Sequence, residues 1–420
     1  MNKYILIGSV SGIGGWQLYT EARYNYLKND CDVYIVSPSI NAMQLSGFEE
    51  EKILIVPEIF MPTYVYTKKQ IFRIIKKIGK TINIDKSDGL FIEATTIAAT
   101  MWGELLAKTY GGVCYSYILQ SHIDCLSKEE KKFLKFKYDN NLLSGMATQT
   151  IPEIFKDFYD PQGDVRFLSA SWESPLSDTK KQIEFLESLK NDADTKIIGY
   201  FGNLAKPHFK KLCEFVRSYC DNRPDRKFVF LSIGSSNDKS SEEVQYKSCK
   251  LNNCISYNIP SVYPVPHTYF EYMDVCIASW GCSVVAARAG VSTIRLIDDV
   301  DIKPQGIMGV TIIKMPFNDI PPCSESLEML LDNILIENKY QNIEFVFPNT
   351  DNKARQKKIS DTLKPFVRDA QSIGYYDVFN IKCCGGRKNN LIKLMNNAFG
   401  ISITNKIVKL IKILKSMMKK

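Results

Sequence analysis

The chain has 420 residues, 45% hydrophobic and 24% charged, with a formal net charge of +8. That is globular chemistry: it excludes a disordered, collagen-like or all-helical fibrous protein, and at roughly 100–200 residues per domain it predicts two large domains. Ten of the 54 basic residues and none of the 46 acidic ones lie from Ile381 onward, leaving 44 basic against 46 acidic side chains before it, which argues against a basic nucleic-acid-binding body.

Short β-branched and aromatic runs then alternate with helical stretches. Strands are predicted at Lys3–Val10, Asp32–Val36, Lys52–Val56, Gly89–Ile92 and Val113–Ile118, with helices at Trp16–Lys28, Lys68–Ile82 and Thr96–Tyr110. This alternation implies βαβ units and a parallel sheet. The pattern weakens over the polar stretch Trp172–Asp178 and then restarts. Further strands are predicted at Lys196–Phe201, Lys227–Ile233, Cys254–Tyr257, Val275–Ala278, Thr293–Ile297 and Val310–Ile313, with helices near His208–Tyr219 and Ser283–Ala289. The expected organisation is a first Rossmann-like domain over 1–175, a linker over 176–195, a second Rossmann-like domain over 196–355, a closing helix over 356–380 and a basic amphipathic tail over 381–420.

The 12 Cys are scattered without zinc-ligand spacing and 3 His add little, so neither a disulfide framework nor a metal site is expected. The opening MNKYILIGSV runs straight into a strand, and no apolar stretch is long enough to span a bilayer, so the expectation is a cytoplasmic protein without a cleaved leader.

Three glycine-bearing turns carry the chemistry. Gly8–Trp16 (GSVSGIGGW) ends the first strand and opens the first helix, where glycines admit an anion to the backbone N–H groups and the helix adds positive dipole. Gly8, Gly12 and Gly14 also match a dinucleotide-type G-x-x-x-G-x-G. Against a dehydrogenase stand Ser37 and Pro38, where an acidic ribose ligand belongs, and Tyr64 and Lys68, whose Y-x-x-x-K spacing falls too early. A tight turn with no ligand is the plain alternative. The second turn, Gly202–Lys211 (GNLAKPHFKK), carries Lys206, suited to a diphosphate; Lys210 and Lys211 read as a solvated face and His208 as a polar first-turn residue. The third segment, Ala278–Ile294 (ASWGCSVVAARAGVSTI), puts Ser279, Gly281, Cys282 and Ser283 at another helix N-terminus.

This arrangement resembles the GT-B glycosyltransferases, in particular family 4-like enzymes of bacterial surface-polysaccharide (capsule, O-antigen) synthesis, over about residues 1–375. The resemblance implies an α/β fold of two facing Rossmann-like doubly wound domains, with the acceptor on the N-terminal one and the nucleotide sugar on the C-terminal one. Gly14 and Gly15 match the family's G-G turn beside acceptor and donor phosphates. Gly202 and Lys206 match its diphosphate turn, with Asn203 in place of an Arg. Its Glu-x7-Glu motif is absent: Ile277 and Val285 occupy the two positions, a departure that bears on donor-ribose recognition. His122, after the strand Val113–Ile118, stands where relatives carry an active-site His, or else is a loop or core residue. Glu93 is a second catalytic candidate, or a buried cap. Asp298 is placed for donor-sugar hydroxyls, while Asp299 and Asp301 read as a surface turn.

The implied activity moves a sugar from a nucleotide-sugar donor to a glycan or lipid-linked acceptor, with no metal and no cofactor, the nucleotide sugar being a substrate. Alternatives are a GT-B sugar-nucleotide epimerase and a degenerate, inactive subunit; an NAD(P)-dependent short-chain dehydrogenase ranks last. No nucleic-acid partner is expected.

The tail Ile401–Lys420 puts Ile407, Leu410, Ile411, Leu414, Met417 and Met418 on one side of a helix and its lysines mostly on the other. It packs on the protein's own body or lies on an anionic membrane surface, with Gly385–Gly386 as a hinge. The lysine side lacks acidic partners, so the expectation is a peripheral enzyme on the inner face of the cell membrane.

Overall fold

Runs such as Tyr4–Ile7 and Phe228–Ile233 are buried along their whole length, which is what a sheet covered on both faces requires. The described strands of the computed structural model form two six-stranded sheets and one two-stranded sheet. The structure describes residues 3–8, 14–39, 47–85, 89–119, 126–146, 150–155, 176–177, 180–190, 194–235, 252–297, 301–313, 321–340, 353–354, 356–361, 374–382 and 386–417. His122 and Asp298 lie outside the described residues. The chain divides into two units, Met1–Trp172 with Asp351–Lys420, and Glu173–Thr350.

In the first unit, β1 (Lys3–Ile7), β2 (Asp32–Ser37), β3 (Ile53–Ile55), β4 (Leu90–Ala94), β5 (Val113–Ile118) and β6 (Leu143–Gly145) form a parallel sheet ordered β3-β2-β1-β4-β5-β6. Its helices are α1 (Gly15–Leu27), α2 (Lys68–Ile82), α3 (Ile97–Tyr110), α4 (Lys128–Asp139) and α5 (Thr150–Phe155). Local chemistry explains α2 well. Thr67 and Gln70 form a capping box, Ile71, Ile74, Ile75, Ile78 and Ile82 supply the buried stripe, and left-handed Asn83 ends the helix.

Two buried ion pairs fasten this unit together. Glu93 of β4 is 0% exposed. Its oxygens accept from Tyr4 Oη and Tyr19 Oη at 2.5 Å and from Arg23 Nε at 3.0 Å. Arg23 continues to Ser360 Oγ at 2.9 Å, so the network ties α1 and the sheet to helical residues 356–361. Burial raises the Tyr4 and Tyr19 phenols well above their ordinary value, keeping them neutral donors. In the second pair, Lys137 Nζ meets Glu104 Oε2 at 2.6 Å, and Glu104 Oε1 accepts from the Tyr376 N–H at 2.9 Å. Burial by itself lowers the Lys137 ammonium; Cys114 and Glu104 together outweigh it and hold it above its usual value.

The second unit contains β7 (Leu176–Ser177), β8 (Lys196–Phe201), β9 (Phe228–Ile233), β10 (Cys254–Ile259), β11 (Val265–Pro266), β12 (Val275–Ala278), β13 (Thr293–Leu296) and β14 (Pro304–Ile307). The large sheet is ordered β10-β9-β8-β12-β13-β14, parallel except for β14, and β7 pairs with β11. Its helices are α6 (Lys180–Leu189), α7 (Pro207–Asp221), α8 (Thr268–Glu271), α9 (Trp280–Arg288) and α10 (Leu327–Leu335).

Three expectations need correcting. Residues 176–195 are not a linker: β7 joins a sheet, and Leu186 of α6 is buried with Ile197 and Val229 in the second unit's core. Val310–Ile313 is not a strand; residues 308–312 fold back on themselves through the Met308–Ile312 bridge, and the preceding Pro304–Ile307 supplies the edge strand. Nor does the closing helix run through 356–380: residues 356–361 are helical, but 374–377 are not, and Val378–Asn380 form a single short turn. The helix α11 (Gly386–Met417) kinks at Gly400 (φ 78°), while the expected hinge at Gly385–Gly386 includes Gly385, which lies outside the described residues. Asn396 Nδ2 donates to the Val65 carbonyl and the Asn396 carbonyl accepts from Gln70 Nε2, each at 3.0 Å, while Ile401 and Thr404 are buried. These contacts dock α11 on the first unit.

Removing Arg23 strands a buried carboxylate, so Arg23→Met is expected to cost about 3–5 kcal/mol in urea unfolding. The double change Arg23→Met with Glu93→Gln should recover much of that loss, because no uncompensated charge remains buried.

Candidate functional site

Open α/β sheets bind ligands beyond the carboxyl ends of their strands, where the strand order reverses. In the second sheet that reversal lies between β8 and β12: β9 and β10 continue to one side, β13 and β14 to the other. Phe201 is paired with Ala278, so the turns following these two strands emerge side by side. The helices diverge from there. On α7, Phe209, Leu212 and Val216 join the core on one face, while Ala286 of α9 and the following Ala289 join the core on the other.

The first turn is held by the neighbouring strand ends. Gly202 N–H donates to the Ile233 carbonyl at 3.1 Å and Gly234 N–H to the Ile259 carbonyl at 2.9 Å. A Cβ on Gly234 would collide with the Gly202 carbonyl oxygen, so glycine is required by this close approach. Asn203 Oδ1 accepts from the Ala205 N–H at 2.8 Å, so this side chain shapes the turn. Lys206 is half-buried and forms the N-cap of α7, with Pro207 at the first helical position. His208 is fully buried, its Nε2 3.2 Å from Tyr200 Oη, which makes it part of the packing.

At the second turn, Ser279 is the extended N-cap of α9 and Trp280 has φ 51°, a left-handed conformation that is an outlier for so bulky a residue and costs roughly 1–3 kcal/mol. Ser283 is buried and its Oγ donates to the Trp280 carbonyl at 2.6 Å, so this hydroxyl serves the helix's first turn. A Cβ on Gly281 would have nothing within 4 Å, and Cys282 beside it is half-buried. Arg295 of β13 is buried with its guanidinium 5.9 Å from the Trp280 ring, and desolvation lowers its pKa.

The helix ends divide into two kinds. Thr67, Thr96, Ser127 and Ser326 cap α2, α3, α4 and α10 with their side chains. By contrast Gly14, Lys206 and Ser279, the N-caps of α1, α7 and α9, make no side-chain cap, and none of these three helices has an acidic residue in its first turn. The positive ends of α7 and α9 therefore emerge side by side, and the first turn of neither helix holds an acidic residue of its own.

The first sheet reverses between β1 and β4, with Gly14 and Gly15 opening α1. Gly14 is extended (φ −173°), a conformation open to any residue, so its backbone does not demand glycine. Gly8 is the tighter position, since a Cβ there would stand 2.8 Å from Thr20 Oγ1. Across the reversal Trp16 Nε1 donates to Thr95 Oγ1 at 2.5 Å. Glu93 requires correction: enclosed by Tyr4, Tyr19 and Arg23, it is the buried structural carboxylate and not a group that touches substrate.

Sequence reasoning overlooked Gly234, Trp280 and the Trp16–Thr95 bridge. Gly234 had a signal, since it directly follows the strand-like run KFVFLSI. The positive φ of Trp280 had none.

No protein-family model and no curated protein matches the chain. Solved structures do. Anabaena Alr3699/HepE in complex with UDP and glucose aligns at 12% identity over 87% of this chain and 99% of its own, with a TM-score of 0.58. S. aureus MnaA with UDP aligns at 11% identity over 88% and 97%, TM-score 0.51. Trehalose-6-phosphate synthase OtsA aligns at 10% identity over 90% and 100%, TM-score 0.51. At such identities the likeness establishes the fold, two Rossmann-like α/β domains of the GT-B type.

Two glycines should behave in opposite ways in thermal unfolding. Gly234→Ala is expected to lose about 1–3 kcal/mol through overpacking against backbone. Gly281→Ala enters open space on a helix and should leave stability unchanged or raise it by up to about 1 kcal/mol.

Proposed function

We propose that the chain is a metal-independent glycosyltransferase that moves a sugar from a UDP-sugar to a glycan or lipid-linked acceptor in bacterial surface-polysaccharide synthesis, of the family 4-like capsule or O-antigen type. The observation that carries the reading is the meeting of the uncapped N-termini of α7 and α9 at one strand-order reversal, with Lys206 at the same crevice. Backbone N–H groups at a helix start, together with a lysine, are chemistry for a diphosphate. Solved structures of the same fold were determined with UDP.

In this reading the diphosphate lies across the two turns. N–H groups from Gly281 and Cys282 donate to its oxygens, and the open space at Gly281 lets the phosphate approach. Lys206 neutralises the charge that grows on the UDP leaving group as the glycosidic bond to the donor breaks, lowering the barrier where charge develops. Gly202 and Asn203 shape the turn, and Ser279 offers its hydroxyl beside them. His122 and Asp298 are proposed as the catalytic group and the sugar-hydroxyl contact; Gly14 and Gly15 are proposed to border the acceptor. The UDP-sugar is a substrate, and the proposal calls for no resident cofactor.

The test is UDP binding by thermal shift and titration, followed by turnover of a panel of UDP-sugars. Lys206→Ala should weaken UDP by about ten- to a hundredfold, the equivalent of 1.5–3 kcal/mol for a charge-assisted contact. Lys211→Ala, which removes a cation paired with Asp301 at 2.9 Å, should change UDP binding little. Gly281→Ala should weaken UDP while leaving the unliganded protein stable. Equal, small effects of all three changes would reject the site. Acceptor-dependent release of UDP identifies a transferase, and acceptor-free change of the sugar identifies an epimerase. Binding without turnover identifies an inactive subunit.

A further inference from the structure

The first unit carries a surface that the nucleotide-sugar reading does not use. The buried side of α2 is a stripe of isoleucines, and its exposed side carries Lys69, Arg73, Lys76, Lys77 and Lys80 together with Phe72. No acidic residue lies on this helix. Phe72, 54% exposed, contacts Phe379 with ring centroids 5.6 Å apart.

Alongside it, α11 spends one side on the body through Asn396, Ile401 and Thr404, and Asn396 is bonded to Gln70 of α2 itself. What it leaves outside mixes polar residues such as Asn397, Ser402, Asn405 and Lys406 with a series of large apolar ones. Leu391 is 54% exposed, Leu394 65% and Phe399 56%, and Ile403 and Leu410 are exposed as well. After Asp377 the chain has no acidic residue. A row of bare leucine, isoleucine and phenylalanine is uncommon on a protein surface facing water. Among the described residues no helix is long and apolar enough to cross a membrane.

We propose that α2 and α11 together form a docking surface for an anionic lipid bilayer, with the apolar side chains of α11 and Phe72 entering the headgroup boundary and the cations of α2 facing acidic headgroups. Charge selects this occupant. A second copy of the chain would bring two acid-free cationic helices against each other, which like-charge repulsion opposes. An anionic interface accepts both the cations and the apolar row. The surface differs from a free tail over 401–420, because α2 supplies much of its charge and the first half of α11 much of its apolar area.

The experiment is sedimentation of the full chain with vesicles of phosphatidylcholine alone or mixed with phosphatidylglycerol, at low and high salt. The chain should sediment with the mixed vesicles at low salt and not with phosphatidylcholine alone. Lys69→Gln, Arg73→Gln, Lys76→Gln and Lys77→Gln combined should lower partitioning by about a hundredfold or more. Leu391→Gln with Leu394→Gln should lower it at least about tenfold. These side chains are exposed, so unchanged melting temperatures are the control, and the lipid and salt dependence of the unaltered chain needs no variant. Failure of the unaltered chain to sediment with the mixed vesicles would overturn the proposal. So would wild-type partitioning by both variants, or a lipid-free dimer that Leu391→Gln and Leu394→Gln dissolve. Vesicle binding is read without substrate, so it stands or falls separately from the UDP site.

Discussion

The hydrogen bonding of β8 to β12 is the contact on which the candidate site depends. Parallel strands need crossover connections, and those connections are right-handed, so helices that follow strands on either side of an order reversal leave on opposite faces of the sheet. Here that rule sends α7 and α9 apart while their first turns stay side by side. The pairing of Phe201 with Ala278 thereby gathers Gly202, Lys206, Ser279 and Gly281 from two distant stretches of chain. Gly234 completes the arrangement by letting the end of β9 approach the Gly202 carbonyl.

Helix ends elsewhere show what the crevice gives up. Thr67, Thr96, Ser127 and Ser326 satisfy first-turn N–H groups locally, a contribution of about 1 kcal/mol each. The three helices that follow the glycine-bearing turns forgo that stabilisation. Trp280 adds a left-handed backbone at the start of α9. The short α8 also lacks a side-chain cap, whereas α3, which likewise starts at the carboxyl end of a strand, keeps its Thr96 cap, so the missing caps belong to particular turns and not to that edge as a whole.

Buried charge does different work in the first unit. The Glu93 network reaches through Arg23 to Ser360, and Glu104 reaches the Tyr376 backbone. Tyr375 adds a bond to the Gly112 carbonyl at 3.1 Å. Each contact holds a segment from the end of the chain against the first sheet's unit. Breaking one member leaves a buried group without its partner, so the returning segment is specified strongly. With that segment fixed, α11 is bonded through Asn396 to Val65 and to Gln70 at the start of α2.

Much of the fold was legible in the chain. Lys68–Ile82, Val113–Ile118, Lys196–Phe201 and Val275–Ala278 have the predicted bounds because periodicity, capping residues and β-branched runs are local signals. The charged helix α4 was missed although Ser127 and Glu130 spell out its capping box, since few apolar residues mark its buried side. The glycine turns were recognised, yet their local pattern could not separate an extended Gly14 from a sterically required Gly234. The sequence by itself determined the strand–helix alternation, the acid-free tail and the residue types available at each turn. Only the tertiary structure decided that β8 lies beside β12, that Glu93 is sealed by two tyrosines and an arginine, and that the tail's helix is bonded to Val65 and Gln70. These outcomes depend on which distant segments meet, and a residue's own neighbours in sequence carry its conformational preference but not the identity of its long-range partner.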